Sequence, residues 1–120
     1  MIKRIVIAGC RYYNNYDEAK KYIDECLMSL GEEHTIIIIS GGADGSDYIG
    51  ECYASEHGFE IERYPALWNK YGKKAGPLRN RQMAQVCDMV ICFWDGKSNG
   101  TRSMIDNAEK LGKRVFIKII

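Results

Sequence analysis

The sequence predicts a single α/β domain in which a five-stranded, mainly parallel sheet lies between two layers of helices. Two observations carry this prediction. Short apolar runs alternate with amphipathic helical patterns along the whole chain, and glycines follow several of these segments. A length of 120 residues is also ordinary for one domain. We therefore expect residues 1–120 to form one Rossmann-like domain with three layers.

Five apolar runs predict five strands, at residues 5–8, 35–39, 59–64, 89–94 and 115–120. The second run is unbroken and β-branched, which is typical of a central strand covered on both faces. The third alternates apolar and charged residues, which favours a place nearer a sheet edge. Because a helical segment separates each strand from the next, we expect right-handed crossovers and a parallel sheet. The strand order that we expect is 3-2-1-4-5.

Four helical segments connect the predicted strands. The first has apolar residues at helical spacing over residues 19–30, and the second is expected to end at about His57. After a long loop at residues 65–76, the third helix is expected to begin at Pro77, because proline is favoured at the first helical position. The apolar stripe of the fourth helix lies at Met104, Ile105, Ala108 and Leu111.

Composition and charge exclude several classes of protein. Apolar residues at 46% and charged residues at 28% are ordinary for a globular domain and unlike a disordered chain. The 17 basic and 16 acidic residues leave a net charge of +1, which argues against binding nucleic acid through a blanket of positive charge. No apolar run is long enough to span a bilayer, and the opening run is too short for a secretory signal. We expect no membrane partner.

The five cysteines are expected to be reduced and mostly buried, in a cytoplasmic protein. Their number is odd, and no two have the C-x-x-C spacing of a zinc or redox motif. Neither His34 nor His57 extends a cysteine ligand pattern, so we predict no metal site. We predict no cofactor.

Small, polar and glycine residues concentrate in the three loops at residues 9–11, 40–47 and 95–101. With the strand order 3-2-1-4-5, the topology reverses between strands 1 and 4. Ligands of such sheets bind outside the carboxyl ends of the strands at that switch point, where these three loops would meet. The sequence therefore predicts a ligand site there.

Two of these loops are expected to open helices, and the free N–H groups of a helix N-terminus favour an anion such as phosphate. Each loop is also explained as a tight turn or a helix cap without a ligand. Asp47 would accept a hydrogen bond from a ribose hydroxyl, or it would only cap its helix. The phosphate candidates in the two loops are Ser40, Gly41 and Gly42, and Ser98, Gly100 and Thr101.

Two arginines and several aromatic residues extend this candidate site. Arg11 follows strand 1, and Arg79 lies near a helix start, where a cation opposes the dipole unless an anionic ligand or a salt bridge compensates. Trp68 and Trp94 would stack on a base or pack on the core. An aromatic-polar patch after strand 1 would act as a ligand lid or a subunit contact; it comprises Tyr12, Tyr13 and Tyr16.

Several short motifs occur in a definite order along the chain. They are Gly9-Cys10-Arg11, Ser40-Gly41-Gly42-Ala43, Trp68 with Tyr71-Gly72, Ala75-Gly76-Pro77 with Arg79-Asn80, and Phe93-Trp94-Asp95-Gly96 with Gly100-Thr101. Over about residues 5–115 they resemble the SLOG superfamily, which contains Smf/DprA and the lonely-guy phosphoribohydrolases, and most closely its YspA-like branch. The resemblance implies a Rossmann-like fold, a nucleotide-derived ligand at the strand ends, and a homo-oligomer.

The lonely-guy enzymes cleave the N-glycosidic bond of nucleoside 5′-monophosphates, so the resemblance implies an N-glycosidase or phosphoribohydrolase as an alternative function. It makes Arg79 the candidate catalytic residue and aligns Gly100-Thr101 with the Pro-Gly-Gly-x-Gly-Thr-x-x-Glu motif of those enzymes. The catalytic glutamate of that motif falls on Met104, which cannot carry a charge or transfer a proton. A second alternative is the single-stranded DNA binding of DprA-like proteins, which the net charge does not support.

The function that we expect is the binding, for sensing or sequestration, of a nucleotide-derived small molecule such as ADP-ribose or an NAD-like species. The sequence leaves open whether this ligand is turned over. The expected ligand- and phosphate-binding residues are Gly9, Arg11, Ser40, Gly41, Gly42, Asp47, Arg79, Asn80, Ser98, Gly100 and Thr101.

Overall fold

Five parallel strands form the sheet of the computed structural model, which describes residues 1–31 and 34–120. The strands are β1 Ile2–Gly9, β2 Thr35–Ser40, β3 Glu60–Arg63, β4 Met89–Trp94 and β5 Arg114–Ile119. Their order is β3-β2-β1-β4-β5, and every neighbouring pair is parallel. This confirms the predicted Rossmann-like α/β fold and its strand order.

Helices cover both faces of the sheet. They are α1 Tyr16–Met28, α2 Ser46–His57, α3 Trp68–Tyr71, α4 Ala75–Val86 and α5 Asn99–Lys110, with a 3₁₀ turn at Gly72–Lys74. The first begins where the side chain of Asn15 accepts a hydrogen bond from the Glu18 N–H at 3.2 Å. The second ends at Gly58, whose φ of +71° is the left-handed conformation that glycine adopts without strain.

The alternation of side chains along β1 divides the core into two layers. Ile5 and Ile7 pack with residues of α1 and α2, whereas Val6 and Ala8 pack with residues of α4 and α5. Because successive side chains of a strand point to opposite faces, a strand buried on both sides needs an unbroken apolar run. The central position of β1 explains why residues 5–8 are apolar without interruption.

The segment at residues 65–76 is not the long loop that the sequence predicts. It contains α3 and the 3₁₀ turn, and α4 already begins at Ala75. Pro77 is therefore the third residue of its helix and not the first. The first N–H groups of a helix have no intrahelical acceptor, so a proline at the third position loses no hydrogen bond either.

The glycine-rich turn after β2 does not lead straight into a helix. Ser40 is the last residue of the strand, and α2 begins only at Ser46, after Gly45 in the N-cap position. The loop at residues 40–47 therefore does open a helix, but the phosphate candidates Ser40, Gly41 and Gly42 precede its first turn. In α5, Leu111 of the predicted stripe lies beyond the end of the helix and is exposed, because the helix stops at Lys110.

All five cysteines carry free thiols, and four of them are buried. Burial raises the pKa of the Cys87 thiol to about 11 and that of Cys92 to about 12, so both are protonated at neutral pH. Within residues 1–31 and 34–120, no three His, Cys, Asp or Glu side chains are grouped so as to hold a metal ion. No helix in the same ranges has the length and apolar character needed to cross a membrane.

Candidate functional site

A cleft of about 370 Å³, here called the first cleft, opens at the carboxyl ends of β1 and β4. These are the strands between which the order of the sheet reverses, as expected for a ligand site in such a fold. Met83 and Met104 are buried side chains that contribute apolar lining. The predicted ligand residues that line the first cleft are Gly9, Arg11, Asp47, Arg79, Asn80, Ser98, Gly100 and Thr101.

Gly9 allows the chain after β1 to pass very close to β4. A Cβ atom on Gly9 would lie 2.2 Å from the Phe93 carbonyl oxygen, and its φ of +145° is one that other residues rarely adopt. The next N–H, that of Cys10, donates to the same carbonyl at 2.9 Å. This close approach brings the following residue, Arg11, to the wall of the first cleft.

Arg79 connects three elements around the cleft. Its Nη1 donates to the Gly41 carbonyl at 2.8 Å, and its Nε donates to Oδ1 of Asn80 at 3.1 Å. Nδ2 of Asn80 in turn donates to the Gly100 carbonyl at 3.3 Å. Burial lowers the pKa of Arg79 from its ordinary value, while Asp47 opposes this shift. Two hydrogen bonds thus fix the orientation of the charged guanidinium. Its Nη2 has no hydrogen-bond partner among the described residues.

Asp47 is a carboxylate with only 6% of its surface exposed. Its Oδ2 accepts a hydrogen bond from the Ala43 N–H at 3.1 Å, and Oδ1 has no partner in the described parts of the chain. Burial raises the pKa of this carboxyl, whereas the Ala43 N–H and the cations Arg79 and Arg11 act in the opposite direction. One carboxylate oxygen is therefore left to accept a hydrogen bond from a ligand.

The absence of a side chain at Gly41 leaves space for the charged groups of Arg79 and Asp47. A Cβ atom on Gly41 would lie 2.6 Å from Nη1 of Arg79 and 2.8 Å from Oδ2 of Asp47. Since real Cβ atoms do not approach other atoms so closely, any side chain here would displace one or both groups. The glycine is needed for close approach, not for an unusual backbone angle.

The start of α5 presents backbone N–H groups that no side chain caps within the described part of the chain. The Ser98 side chain is in the N-cap position but accepts no hydrogen bond from a helix N–H, and the partner that the Thr101 hydroxyl has among the described residues is the Ser98 hydroxyl, at 3.4 Å. No acidic residue lies in the first turn. The positive end of the helix dipole at this wall of the first cleft is consequently not neutralised by the helix itself.

A hydrogen bond across the rim joins the loops after β1 and β4. The Tyr12 hydroxyl donates to Oδ2 of Asp95 at 2.9 Å. Oδ1 of the same carboxylate accepts from the N–H groups of Lys97 and Ser98, both at 2.8 Å. These bonds to the ionised form lower the pKa of Asp95 to about 2, so it is a carboxylate at all ordinary pH values.

A second cleft, of about 340 Å³, adjoins the first. Arg11, Ala43 and Arg79 line both. The predicted residues Gly41, Gly42 and Trp68 line only the second, together with Asp44, Pro65 and Ala66.

Residues 3–71 match the model of the YspA, cpYpsA-related SLOG family. The chain belongs to this SLOG family. It is also 32% identical, over 118 residues and 92% of each chain, to the Gene 61 protein of Mycobacterium phage D29.

Two solved structures resemble this SLOG domain. DNA processing protein A from Streptococcus pneumoniae has a TM-score of 0.72 at 22% identity, covering 98% of this chain and 50% of its own. The structural genomics target TM1055 has a TM-score of 0.66 at 20% identity, covering 96% of this chain and 72% of its own. The chain thus spans half the length of the first of these proteins, and at such identities the likeness concerns the fold.

Three residues that the sequence singles out lie away from both clefts of the SLOG domain. The Ser40 hydroxyl is buried; it donates to Oε2 of Glu51 at 2.7 Å and accepts from the Gly42 N–H at 3.0 Å. The Trp94 indole N–H donates to the Ser98 carbonyl at 3.1 Å, and Arg102 lies over its ring. Tyr13 is not part of a surface patch, because its ring is buried and stacks on a core phenylalanine.

Sequence reasoning did not identify the Tyr12–Asp95 bond or the Ala43 N–H that holds Asp47. The first joins residues 83 positions apart, and the second is a backbone group, so neither leaves a local pattern of side chains. Met104 does lie in the first cleft, 1% exposed. The residue that the resemblance aligns with the glutamate of the lonely-guy motif therefore lines the first cleft with a thioether.

Proposed function

We propose that this SLOG domain binds a nucleotide-derived small molecule, such as ADP-ribose or an NAD-like species, at the carboxyl ends of its strands. The observation that carries the proposal is the meeting of three features in the first cleft. These are the arginines Arg11 and Arg79, the uncapped start of α5, and the buried carboxylate of Asp47.

The arginines and the start of α5 support binding of a phosphate group. Arg79 is already oriented by Gly41 and Asn80, so little side-chain freedom would be lost when Nη2 meets an anion. Backbone N–H groups at a helix start together with a guanidinium are a common donor set for phosphate. Thr101, a residue that is 4% exposed and lines the cleft, adds its hydroxyl as a further donor.

Asp47 supports a sugar phosphate in preference to a free phosphate ion. A buried carboxylate beside the arginines repels a bare anion but accepts hydrogen bonds from hydroxyl groups. A ligand with a ribose next to its phosphate supplies both the anion for the arginines and the hydroxyl for Oδ1 of Asp47. This is the combination that nucleotides and ADP-ribose carry.

Binding without turnover fits the lining of the cleft better than hydrolysis. Cleavage of an N-glycosidic bond needs a carboxyl group to stabilise charge or move a proton, and Met104 provides neither. The carboxylate that does line the first cleft, Asp47, is assigned in this proposal to the ribose hydroxyl and not to the reaction. Asp106, two residues further along α5, is exposed and does not line the first cleft. The domain is therefore proposed to sense or sequester its ligand.

Thermal unfolding with a panel of nucleotides tests this proposal. ADP-ribose, NAD, AMP and ADP would be added to the protein, and a ligand at 100 times its dissociation constant should stabilise the fold by about 2.7 kcal/mol. Arg79→Met should abolish the shift. Arg81→Met is the matched control, because Arg81 is exposed on the same helix and lines neither cleft.

Failure of all these ligands to shift the melt, or an undiminished shift in Arg79→Met, would contradict the proposal. The same samples distinguish binding from hydrolysis. Wild-type protein incubated with AMP should release no adenine, and release that Arg79→Met abolishes would favour the phosphoribohydrolase instead.

A further inference from the structure

The two clefts share one wall, and this wall is charged. Arg11, Ala43 and Arg79 line both clefts, and the guanidinium of Arg79 is held there by the Gly41 carbonyl. An anionic group bound at this wall would therefore lie at the boundary between the two spaces. Any ligand larger than that group could extend into both.

Neither cleft alone is large for a small-molecule site. Volumes of about 370 and 340 Å³ are at the lower end of the range of roughly 300–1,000 Å³ that ligand pockets occupy. A sugar phosphate fits within one such space, whereas a ligand of the size of ADP-ribose, with two riboses, a pyrophosphate and a base, needs more. Together the two clefts offer room for a ligand with two parts.

The second cleft has the surface that a nucleobase requires. Trp68 lines it and is 52% exposed, with no aromatic or cationic group stacked on its ring among the described residues. The indole edge would lie 3.3 Å from a Cβ atom on Gly76, so the ring rests against the start of α4. Trp94 differs because its N–H is bonded and Arg102 lies over its ring.

The charges of the two clefts indicate which end of the ligand lies where. Donors for an anion collect in the first cleft, at the start of α5. The second cleft, beyond the shared arginines, is lined by Pro65, Ala66 and the carboxylate of Asp44, which repels phosphate. An aromatic base against Trp68 in the second cleft, with the phosphate beyond the shared wall at the start of α5, satisfies both.

We propose that the ligand spans both clefts, with its base stacked on Trp68 in the second cleft and its ribose and phosphate in the first. The bond that joins the base to the ribose then lies beside Arg79, at the wall that the two clefts share. This inference rests on the proposed function and narrows it to nucleotides that carry an aromatic base. Sugar phosphates would fill only half of the site.

Titration calorimetry with ADP-ribose and with ribose 5-phosphate distinguishes binding in the second cleft, where the base is proposed to lie, from binding in the first. Trp68→Ala should weaken ADP-ribose binding about 10-fold, the effect of losing one base–aromatic stack, and leave ribose 5-phosphate unchanged. Tyr71→Ala is the matched control, because Tyr71 is an exposed aromatic on the same short helix that does not line the second cleft. It should change neither affinity.

Tryptophan fluorescence gives an independent measurement. ADP-ribose should quench the emission of the wild type, ribose 5-phosphate should not, and Trp68→Phe should remove the quenching while it retains binding. ADP-ribose binding that is equally strong in Trp68→Ala would overturn the two-cleft proposal and leave the proposed function intact. Absence of any ADP-ribose or AMP binding to the wild type would overturn both.

Two other results would assign Trp68 a different role and overturn the proposal. An equal loss of ADP-ribose and ribose 5-phosphate binding in Trp68→Ala would mean that Trp68 only supports the fold around Arg79. A wild type that self-associates in sedimentation, with a Trp68→Ala variant that does not, would make Trp68 a subunit contact.

Discussion

Two strand-to-helix junctions of similar sequence character differ in where their polar groups are used. At the junction of β2 with α2, the polar side chains form hydrogen bonds within the chain. Ser40 bonds to Glu51, Ser46 to the Cys10 carbonyl at 2.9 Å, and Asp47 to the Ala43 N–H. Asp47 also supplies a negative charge in the first turn of α2. Asp47 therefore already supplies the negative charge that the start of α2 favours, and a bound anion would add little there.

At the junction of β4 with α5, Asp95 bonds the loop N–H groups of Lys97 and Ser98, but the first turn of the helix is left without a side-chain cap among the described residues. That turn contains no acidic residue, Ser98 makes no capping bond, and the Thr101 hydroxyl has only a long contact with Ser98. A glycine-rich, polar loop before a helix therefore does not by itself indicate an anion site. What decides is whether the donors of that helix start already have partners within the chain.

The comparison gives each junction a different task in ligand binding. The β4–α5 junction would contribute donors to the phosphate. The β2–α2 junction would contribute shape, because Gly41 leaves space for Arg79, and one carboxylate oxygen of Asp47. Variants in the two junctions should accordingly differ in whether they affect binding or stability.

Gly41→Ala should produce the largest effect. The added methyl group would lie within 3 Å of both Nη1 of Arg79 and Oδ2 of Asp47, at 2.6 and 2.8 Å, so these groups must move. We expect a loss of ADP-ribose affinity of about 100-fold, because a charged contact with the phosphate is lost. Because the atoms that must move are the far ends of side chains, unfolding in urea should show a smaller effect, a stability loss of about 1 kcal/mol.

Gly58→Ala is the control for that variant. Gly58 follows α2 with a φ of +71° and open space where its Cβ would lie, so alanine strains the backbone at a position that lines neither cleft. It should lower stability by about 1–2 kcal/mol and leave the affinity unchanged. If Gly41→Ala binds ADP-ribose as tightly as Gly58→Ala does, the β2–α2 junction does not position the charged groups of the site.

A matched pair of hydroxyl deletions tests the two junctions directly. Thr101→Val removes a donor from the first cleft and should weaken ADP-ribose binding about 10-fold, with a stability change below about 1 kcal/mol. Ser46→Ala removes a buried bond to Cys10 and should cost about 1–2 kcal/mol of stability without changing affinity. Calorimetry should show the affinity loss in Thr101→Val alone, and urea unfolding should show the stability loss in Ser46→Ala. If both variants lost the same affinity and the same stability, the two junctions would not differ in function.

The sheet could be predicted from sequence because each strand is marked by its own residues. Residues 89–94 form an apolar run that becomes β4 with the same bounds, and 35–39 becomes β2 with one added residue. A strand buried on both faces has to be apolar throughout, which leaves a local and easily read pattern. The observed order β3-β2-β1-β4-β5 is the one common in doubly wound sheets, from which it was expected.

Elements that depend on distant partners could not be predicted in the same way. The four-residue helix α3 makes little more than one turn, so no apolar spacing repeats within it. Tyr13 lies next to Tyr12 in the chain, yet its place on Phe93 is decided by tertiary packing. The residues gathered in the first cleft were anticipated as a group, because the topology brings the loops together, but their bonds to one another were not.

Acid titration should show the smallest effect, at the rim of the β4–α5 junction. The folded state holds Asp95 ionised, with a pKa of about 2, through the N–H groups of Lys97 and Ser98. A carboxyl whose folded pKa is depressed contributes stability above its unfolded pKa of about 3.9, and this contribution is lost as the pH falls towards 2. Asp95→Asn should therefore unfold with a smaller dependence on pH between about 4 and 2.

Urea unfolding at several pH values in that range measures this dependence. Asp106→Asn removes an exposed carboxylate from the following helix that accepts no hydrogen bond from the described residues, and it should follow the wild type. Since Asp95 also accepts from the Tyr12 hydroxyl, Tyr12→Phe should reduce the dependence by a smaller amount than Asp95→Asn. If the stability of Asp95→Asn depended on pH as strongly as that of the wild type, this carboxylate would not stabilise the loop before α5. Another group would then have to fix the orientation of the N–H groups at the start of that helix.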